Sequence, residues 1–480
     1  MSISESKDAL VEKKLEEDIG RNEKIALYAR SVTFSISNGL VQPFVSMIAL
    51  TMGASSGLLG WIQSISNLLS TFLTPLFGRL SDLAKRRIPF IIISTISWGI
   101  PYAFLYFVKP NYAWTIVIIV ALVNLLLSLG VPAWTALQNE LFPKEVRGKL
   151  SARVFWFNAI GSVIATIFTG IILTTIFDDQ DYQKFILIPV AIGIFLSILG
   201  ILPFRKVEEP LKKMSEDDQP IPHNLIESFK ITFDNKPFKK FTIISTIQSL
   251  FFSFAWPLFS IFQVSVLEAS AIEVALLSIS FSIIMLVVLR FGAKLCDKYG
   301  RTRLIFLNRF SLSLFPLAYI FATKVWHLYL IHYIFAFFIY IAMPSLQAYL
   351  LDIIPPKEGG MYFGVYNMLT GIALFLGALA GGYLTELSQF LFDRVGLDQI
   401  LNNSISSLVV KSFSNYAISG QNVIFDSLRW SVIIALIVAT IGRALTSLMF
   451  ISLKEQKKFP SSWGEVARQI RRRFERGPQV

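Results

Sequence analysis

The sequence has few of the residues that enzymes most often use for catalysis. Its 480 residues include one cysteine and three histidines, and charged residues make up only 16%, against roughly 25% in soluble domains. The single Cys296 excludes an internal disulfide. No Asp or Glu lies in the middle third of any long apolar segment, so a buried carboxylate pair for acid–base catalysis is absent. These shortages argue against a metal centre, a cofactor and an enzymatic function.

Long apolar segments dominate the rest of the chain. Hydrophobic residues make up 54% of it, and 42 residues are Phe. A helix that crosses a bilayer needs about 20 apolar residues. The runs are continuous rather than alternating, which predicts helices. The fold class is therefore predicted to be an all-α membrane protein with twelve transmembrane helices, at 27–52, 57–80, 88–108, 112–139, 154–177, 184–204, 239–266, 271–293, 304–323, 326–351, 361–386 and 428–453.

The distribution of positive charge predicts the topology. The net charge is +12, but the cations cluster on one side of the predicted spans, which indicates orientation rather than nucleic-acid binding. If residue 1 is cytoplasmic, all but six of the 44 Lys and Arg lie on or face that side; the six are Lys109, Lys184, Lys324, Arg394, Lys411 and Arg429. By the positive-inside rule, both termini are expected in the cytoplasm. The charged first 24 residues predict no cleavable signal peptide.

Internal repetition predicts two six-helix halves. Pro43 and Asp82 correspond to Pro257 and Asp297 at offsets of 214 and 215, which favours a duplicated unit. Parallel repeats of this kind occur in transporters. The expected domains are an N-terminal half with its cytoplasmic segment at 1–204, a cytoplasmic linker at 205–238, a C-terminal half at 239–453 with a long outer loop at 387–427, and a basic cytoplasmic tail at 454–480. The tail is expected to lie on anionic lipid.

Charged hinges, GRLSDLAKRR at 78–87 and AKLCDKYGRTR at 293–303, separate apolar runs at equivalent places in the two halves. Four carboxylates end predicted helices, where the helix dipole disfavours negative charge unless a cation offsets it. With nearby arginines they are predicted to form a ring of breakable ion pairs, a cytoplasmic gate, made by Asp82, Arg86, Arg87, Glu140, Arg147, Asp297, Arg301 and Asp352. The alternative is that these charges serve topology and helix capping alone.

Both hinges resemble the glycine-x-leucine-x-aspartate-basic-x-glycine-arginine-basic signature of the major facilitator superfamily. They lie between predicted helices 2 and 3 and between 8 and 9, as in that family, and the resemblance covers essentially the whole chain. Lys85 replaces the second glycine in the first copy, and Ala293 replaces the first glycine in the second. The resemblance implies alternating access, in which two halves rock about a central substrate cavity.

Polar side chains inside the predicted helices are candidates for substrate contact, because such residues are costly in a membrane. The predicted pathway residues are Asn38, Gln42, Asn124, Asn158, Gln248, Trp256, Gln263, Tyr366 and Asn367. The alternative is that they serve helix packing.

Two ionisable residues lie within the predicted spans. His332 is the predicted proton site if transport is proton-coupled, with simple hydrogen bonding to a neighbour as the alternative. Arg443 is expected to snorkel or to pair near the inner face.

The sequence as a whole predicts a cell-membrane transporter that moves a small organic solute, with no cofactor or metal. The expected partners are the solute, membrane lipid and a coupling proton or ion; no nucleic acid is expected, and the protein is expected to be a monomer. A transporter-like receptor or sensor is the alternative, and a membrane-embedded enzyme is a weaker one.

Overall fold

The computed structural model describes residues 20–109, 112–141, 147–175, 186–207, 225–355, 359–395 and 426–455. Within these residues the chain is helical and contains no strand. The described helices before residue 208 are α1 (Arg21–Val41), α2 (Val45–Thr51), α3 (Ser56–Leu83), α4 (Ile88–Ser97), α5 (Ile100–Ala103), α6 (Trp114–Leu141), α7 (Arg147–Thr175) and α8 (Leu187–Ile201).

The remaining described helices follow residue 224. They are α9 (Leu225–Asp234), α10 (Lys236–Phe254), α11 (Trp256–Ile261), α12 (Ala271–Tyr299), α13 (Arg301–Ile320), α14 (Val325–Ile353), α15 (Gly359–Val395) and α16 (Ser427–Met449). Short helical turns of other types extend several of them, at Gln42–Phe44, Phe104–Phe107, Leu202–Lys206, Phe262–Val266 and Phe450–Ser452.

Proline explains where two long helices break. Pro43 lies in the 3₁₀ turn between α1 and α2, and Pro257 follows the junction of α10 and α11. Proline has no N–H and its ring clashes with the carbonyl of the fourth residue before it, so the backbone ladder is interrupted. The carbonyls that lose their helical partners then need other donors inside a membrane. The two predicted halves are broken at equivalent prolines, 214 positions apart.

By length and composition, ten of the described helical segments could cross a membrane. The predicted second and ninth spans also form long helices, α3 and α13, but these are less apolar and are not among the ten. Two boundaries differ from the expected ones. The helix α15 continues to Val395, so residues 387–395 are helical rather than part of the outer loop, and α9 occupies the end of the predicted linker. The rest of that loop and nearly all of the basic tail lie outside the described residues.

The chain forms two compact units. The first comprises Met1–Pro222, Ser253–Ile279 and Leu374–Ala435; the second comprises His223–Phe252, Ser280–Ala373 and Leu436–Val480. This division differs from the predicted six-and-six division, because residues 253–279 and 374–435 of the predicted second half belong to the first unit.

Each unit has its own apolar core. Because lipid is as apolar as leucine, close packing rather than exclusion of water holds such helices together. The core of the first unit consists of Ala26, Leu27, Ile88, Ile91, Ala133, Leu137, Leu150, Val154, Phe204 and Val207. The core of the second consists of Phe238, Phe241, Ile244, Ile305, Tyr349, Leu350, Ile353, Ile354, Tyr362, Val365, Phe450 and Leu453.

Candidate functional site: polar clusters at the helix ends and between the helices

The first charged hinge forms an ion-pair cluster around Arg87. This residue directly precedes α4, and its side chain is 8% exposed. Its Nη2 lies 2.5 Å from Asp82 and 3.1 Å from Glu140, and its Nη1 donates to the Ser81 hydroxyl at 2.6 Å. The guanidinium therefore joins the end of α3 to the end of α6. It supplies the positive charge that carboxylates at helix C-termini require.

An equivalent cluster forms around Arg301 at the start of α13. Arg301 pairs with Asp352 at the end of α14 and donates to the carbonyl of Ala348 at 2.5 Å. The Glu455 carboxylate accepts the backbone N–H groups of Arg301 and Thr302, each at 2.9 Å. This carboxylate caps the helix, since the first N–H groups have no helical partner and the dipole there is positive. The sequence analysis missed Glu455.

These clusters account for five of the eight predicted gate residues. Asp82 pairs with Arg87 and Arg87 with Glu140, all between residues 82 and 140, whereas Arg301 and Asp352 both belong to the predicted second half. Each described pair thus joins helices of one predicted half. Arg86 is exposed, and the side chains of Arg147 and Asp297 lie outside the described part of the structure.

The opposite end of α3 carries a contact that sequence reasoning missed. Asp82 and Ser55 are about 40 Å apart along this helix, at 1.5 Å per residue. At the Ser55 end, the Glu386 carboxylate of α15 accepts the N–H of Gly57 at 3.0 Å and the Ser55 hydroxyl at 3.2 Å. We call these three residues the Glu386 contact. One turn further along, Trp61 Nε1 donates to the Tyr383 hydroxyl at 2.9 Å.

Glycines allow α3 and α15 to approach closely beside the Glu386 contact. A Cβ added at Gly60 would lie 2.9 Å from the carbonyl oxygen of Ala378, and one added at Gly382 would lie 2.5 Å from that of Ser56. Such distances are too short for carbon against oxygen, so only glycine fits. Small residues commonly let membrane helices pack backbone to backbone.

A second helix start is capped in a similar way. The N–H of Ile272, at the start of α12, donates to the Thr174 hydroxyl of α7 at 3.0 Å. In both cases a side chain from one predicted half satisfies an orphan N–H at a helix start in the other. Because all these residues belong to the first compact unit, the two contacts explain its composition.

Polar residues of the predicted pathway occupy different environments. Asn38 donates to the side chain of Gln42 at 3.4 Å, and Gln42 is exposed at the Pro43 break. Gln63 of α3 donates to the Ser46 hydroxyl of α2 at 3.4 Å and to the Ser260 hydroxyl of α11 at 3.2 Å. These two bonds link α3 to the helical segments that follow Pro43 and Pro257 within the first unit.

The other pathway candidates divide by exposure. Asn367 is exposed, and Gln248 is 1% exposed, with its oxygen accepting the Thr446 hydroxyl. Asn124 donates to the carbonyl of Val120 at 2.8 Å, a bond within its own helix. Half-buried positions are held by Asn124, Asn158, Trp256, Gln263 and Tyr366.

His332 is enclosed by hydroxyls and aromatic rings in the second unit. Its Nδ1 lies 2.8 Å from the Ser280 hydroxyl and its Nε2 lies 2.5 Å from the Tyr319 hydroxyl. The rings of Phe281 and Phe315 pack at centroid distances of 4.8 and 5.5 Å. Both ring nitrogens therefore have partners that can donate or accept, and the residue is 5% exposed.

Arg443 does not snorkel toward the inner face; it is fully buried in α16. Its guanidinium donates to the carbonyls of Phe251 at 3.0 Å, Phe252 at 2.5 Å and Leu312 at 3.0 Å. Two of these carbonyls lie in the last turn of α10, just before the break near Pro257. Arg443 therefore donates hydrogen bonds to backbone carbonyls beside the break. These bonds explain how a cation is retained at this depth.

Comparison with known proteins decides the family. The sequence profile of the Major Facilitator Superfamily matches residues 30–378 and 270–474. The chain belongs to the Major Facilitator Superfamily. This confirms the resemblance based on the two hinges. A superfamily relative, an uncharacterised MFS-type transporter of Methanocaldococcus jannaschii, is 22% identical over 371 residues, which cover 75% of this chain and 88% of the relative.

Solved superfamily transporters share the fold. The nucleoside transporter NupG has a TM-score of 0.63 at 14% identity and covers 90% of this chain and 99% of its own. A bacterial homologue of the human lysosomal transporter Spinster, inward-facing and occupied, has a TM-score of 0.63 at 14% identity, with 91% and 98% coverage. A D-xylose–proton symporter has a TM-score of 0.56 at 17% identity, with 92% and 98% coverage.

Family membership and the apolar helices establish a multi-pass membrane protein of a transporter family. They indicate membrane transport rather than an enzymatic function. Among the described residues, no group of three or more His, Cys, Asp or Glu is placed to hold a metal ion.

Proposed function

We propose that this superfamily member is a secondary active or facilitative transporter that moves a small organic solute across the cell membrane by alternating access. Twelve spans would form two six-helix halves, with both termini in the cytoplasm. The observation that carries this proposal is the Glu386 contact, which joins α3 to α15 at the end of α3 opposite the ion pairs. A closure made of a few hydrogen bonds and a glycine contact can form and break as a unit.

The matched ion-pair clusters support the two-half organisation. Arg87 with Glu140 and Arg301 with Asp352 repeat the same pairing at offsets of 214 and 212. In this proposal each cluster braces the cytoplasmic end of its own half, so that the half moves as one body. The predicted gate between the halves stays a prediction, since the side chains of Asp297 and Arg147 lie outside the described residues.

We propose a small solute because similar transporters are named for small solutes. The fold is shared with a nucleoside transporter and with a xylose–proton symporter. Saturable uptake of a solute by proteoliposomes containing the purified protein, absent from protein-free liposomes, would test the proposal. Ligand binding without flux for every solute tested would instead favour the receptor or sensor alternative.

Proton coupling, if present, is proposed to use His332. Replacing it with glutamine keeps two hydrogen-bonding atoms near Ser280 and Tyr319 but removes the titrating group. We expect His332→Gln to reduce proton-driven uptake at least tenfold while exchange of solute without a proton gradient continues. Uptake and pH dependence would be measured in proteoliposomes with an imposed pH gradient.

His327→Gln is the matched control for this experiment. His327 lies on the same helix, but its Nδ1 accepts the N–H groups of Thr323 and Lys324 and so caps the helix start. We expect this variant to keep proton-driven uptake. Wild-type uptake and pH dependence in His332→Gln would remove the assignment.

A further inference from the structure

The second unit contains a half-buried cation, Arg309, with a buried nitrogen that has no hydrogen-bond partner among the described residues. Arg309 lies on α13, about two turns after Arg301. Its Nε is buried without a hydrogen-bond partner, and no hydrogen bond or ion pair to Arg309 occurs in the described part of the chain. Its guanidinium lies 5.7 Å from the centre of the Phe450 ring. A cation at this depth is costly without a partner, and an aromatic ring offsets only part of that cost.

The polar groups near Arg309 include buried atoms that have no hydrogen-bond partner among the described residues. Arg443 lies close enough for repulsion between the two guanidinium groups. One turn along α16 from Arg443, the Thr446 hydroxyl donates to Gln248, whose Nε2 is buried without an acceptor. The Ser245 hydroxyl, one turn before Gln248, is also buried without a partner. Two guanidinium groups thus lie close together here, near buried polar atoms of Gln248 and Ser245 that have no hydrogen-bond partner among the described residues.

Tyr366 connects this cluster to the predicted pathway. Its ring stacks on Phe241 at a centroid distance of 5.9 Å and an angle of 18°, and Phe241 packs at 6.4 Å against Phe450, the ring that the Arg309 guanidinium faces. Tyr366 is half-buried, and the next residue, Asn367, is exposed. Two residues that the sequence predicts for substrate contact thus border the aromatic neighbour of Arg309: Tyr366 through Phe241, and Gln248 through Thr446, which lies one turn before Phe450.

We propose that Arg309, Gln248 and Tyr366 bind a carboxylate group, so that the transported solute is a small organic acid. A carboxylate accepts hydrogen bonds through both oxygens, fits the guanidinium fork, and supplies the negative charge that this cluster lacks. The substrate class rests on the transport function proposed above. The binding site itself does not, since an anion can bind a protein that moves nothing.

Thermal unfolding of the purified full-length protein tests binding directly. Sodium acetate, benzoate and succinate would each be compared at equal ionic strength with sodium chloride, and at equal concentration with the corresponding amide. We expect at least one carboxylate to raise the melting temperature by several degrees where its amide does not, because a ligand that binds the folded state stabilises it. The effect should disappear in Arg309→Gln and be partly retained in Arg309→Lys.

Two further variants separate specific binding from general effects of charge. Arg303→Gln removes the same charge from an exposed position on the same helix, and it should keep the carboxylate effect. Gln248→Glu places an internal carboxylate in the cluster, so it should lose the effect of added carboxylate while remaining folded. Equal stabilisation by carboxylate and amide, or stabilisation that persists in both Arg309→Gln and Gln248→Glu, would overturn the proposal.

Transport assays distinguish the site from the function. Uptake of a stabilising carboxylate that is lost in Arg309→Gln would support both. Efficient uptake of a neutral solute that is unaffected by Arg309→Gln would contradict the organic-acid proposal while leaving the transporter function intact. Carboxylate binding that depends on Arg309, with no uptake of any solute, would contradict the transporter function and support the site.

Discussion

Gly382→Val is expected to abolish solute flux while leaving membrane insertion intact. The valine Cβ would stand 2.5 Å from the Ser56 carbonyl oxygen, so α3 and α15 could not approach as they do here. Overpacking of this kind costs about 1–3 kcal/mol. The penalty applies only when this end is closed, so it shifts the equilibrium toward the open state by roughly 5–150-fold. Flux in proteoliposomes and labelling of a cysteine introduced at Ser260, in a Cys296→Ser background, would measure both effects.

Gly364→Val is the matched control. Gly364 lies on the same helix, and a Cβ added there would have no neighbour within 4 Å. It should transport normally and label as the parent does. Normal flux in Gly382→Val, or equal labelling of the two variants, would mean that the close approach of α3 and α15 has no part in transport.

Arg87→Gln is expected to destabilise the protein strongly. The side chains of Arg87 and Glu140 are 8% and 15% exposed, so loss of the guanidinium removes a hydrogen-bonded cation from a nearly buried carboxylate. Removing one member of a buried pair costs about 3–5 kcal/mol. Asp82 adds little to this loss, because its side chain is 61% exposed and water screens it. The fraction of detergent-solubilised protein that stays monodisperse after heating would report the change.

Two comparisons show whether the pair itself causes the loss. Arg86→Gln removes an exposed charge from the adjacent position and should change stability by less than about 0.5 kcal/mol. The double variant Arg87→Gln with Glu140→Gln should be more stable than Arg87→Gln alone, because it also removes the nearly buried negative charge that Arg87 offsets. Equal stability of Arg87→Gln and Arg86→Gln would show that the cluster is not a brace.

The sequence predicts the features that depend on local pattern. Apolar runs mark the spans, and Pro43 and Pro257 mark the breaks in the first helices of each predicted half. Asp82 and Arg87 lie five positions apart across a tight turn, so their pairing follows from the hinge alone. The helix boundary at Val395 was missed because residues 387–395 mix polar and apolar side chains.

Contacts between distant parts of the chain were not predictable from one sequence. Glu386 and Ser55 are separated by 331 positions, and no sequence pattern in either segment indicates that the two residues are in contact. The sequence alone suggests an interfacial cation at Arg443; its role becomes visible only when α16 lies beside α10, to whose Phe251 and Phe252 carbonyls it donates. The sequence alone likewise does not show that Arg309 lies near buried polar atoms without hydrogen-bond partners. Packing decides the role of each residue.

A reversible lock on the Glu386 contact tests alternating access most directly. Cysteines at Ser55 and Glu386, in a Cys296→Ser background, would be joined by a short bis-methanethiosulfonate linker in proteoliposomes. If this end must open in every transport cycle, cross-linking should abolish saturable flux and reductant should restore it. The linker should not change the flux of either single-cysteine variant. Undiminished flux through quantitatively cross-linked protein would contradict the alternating-access account.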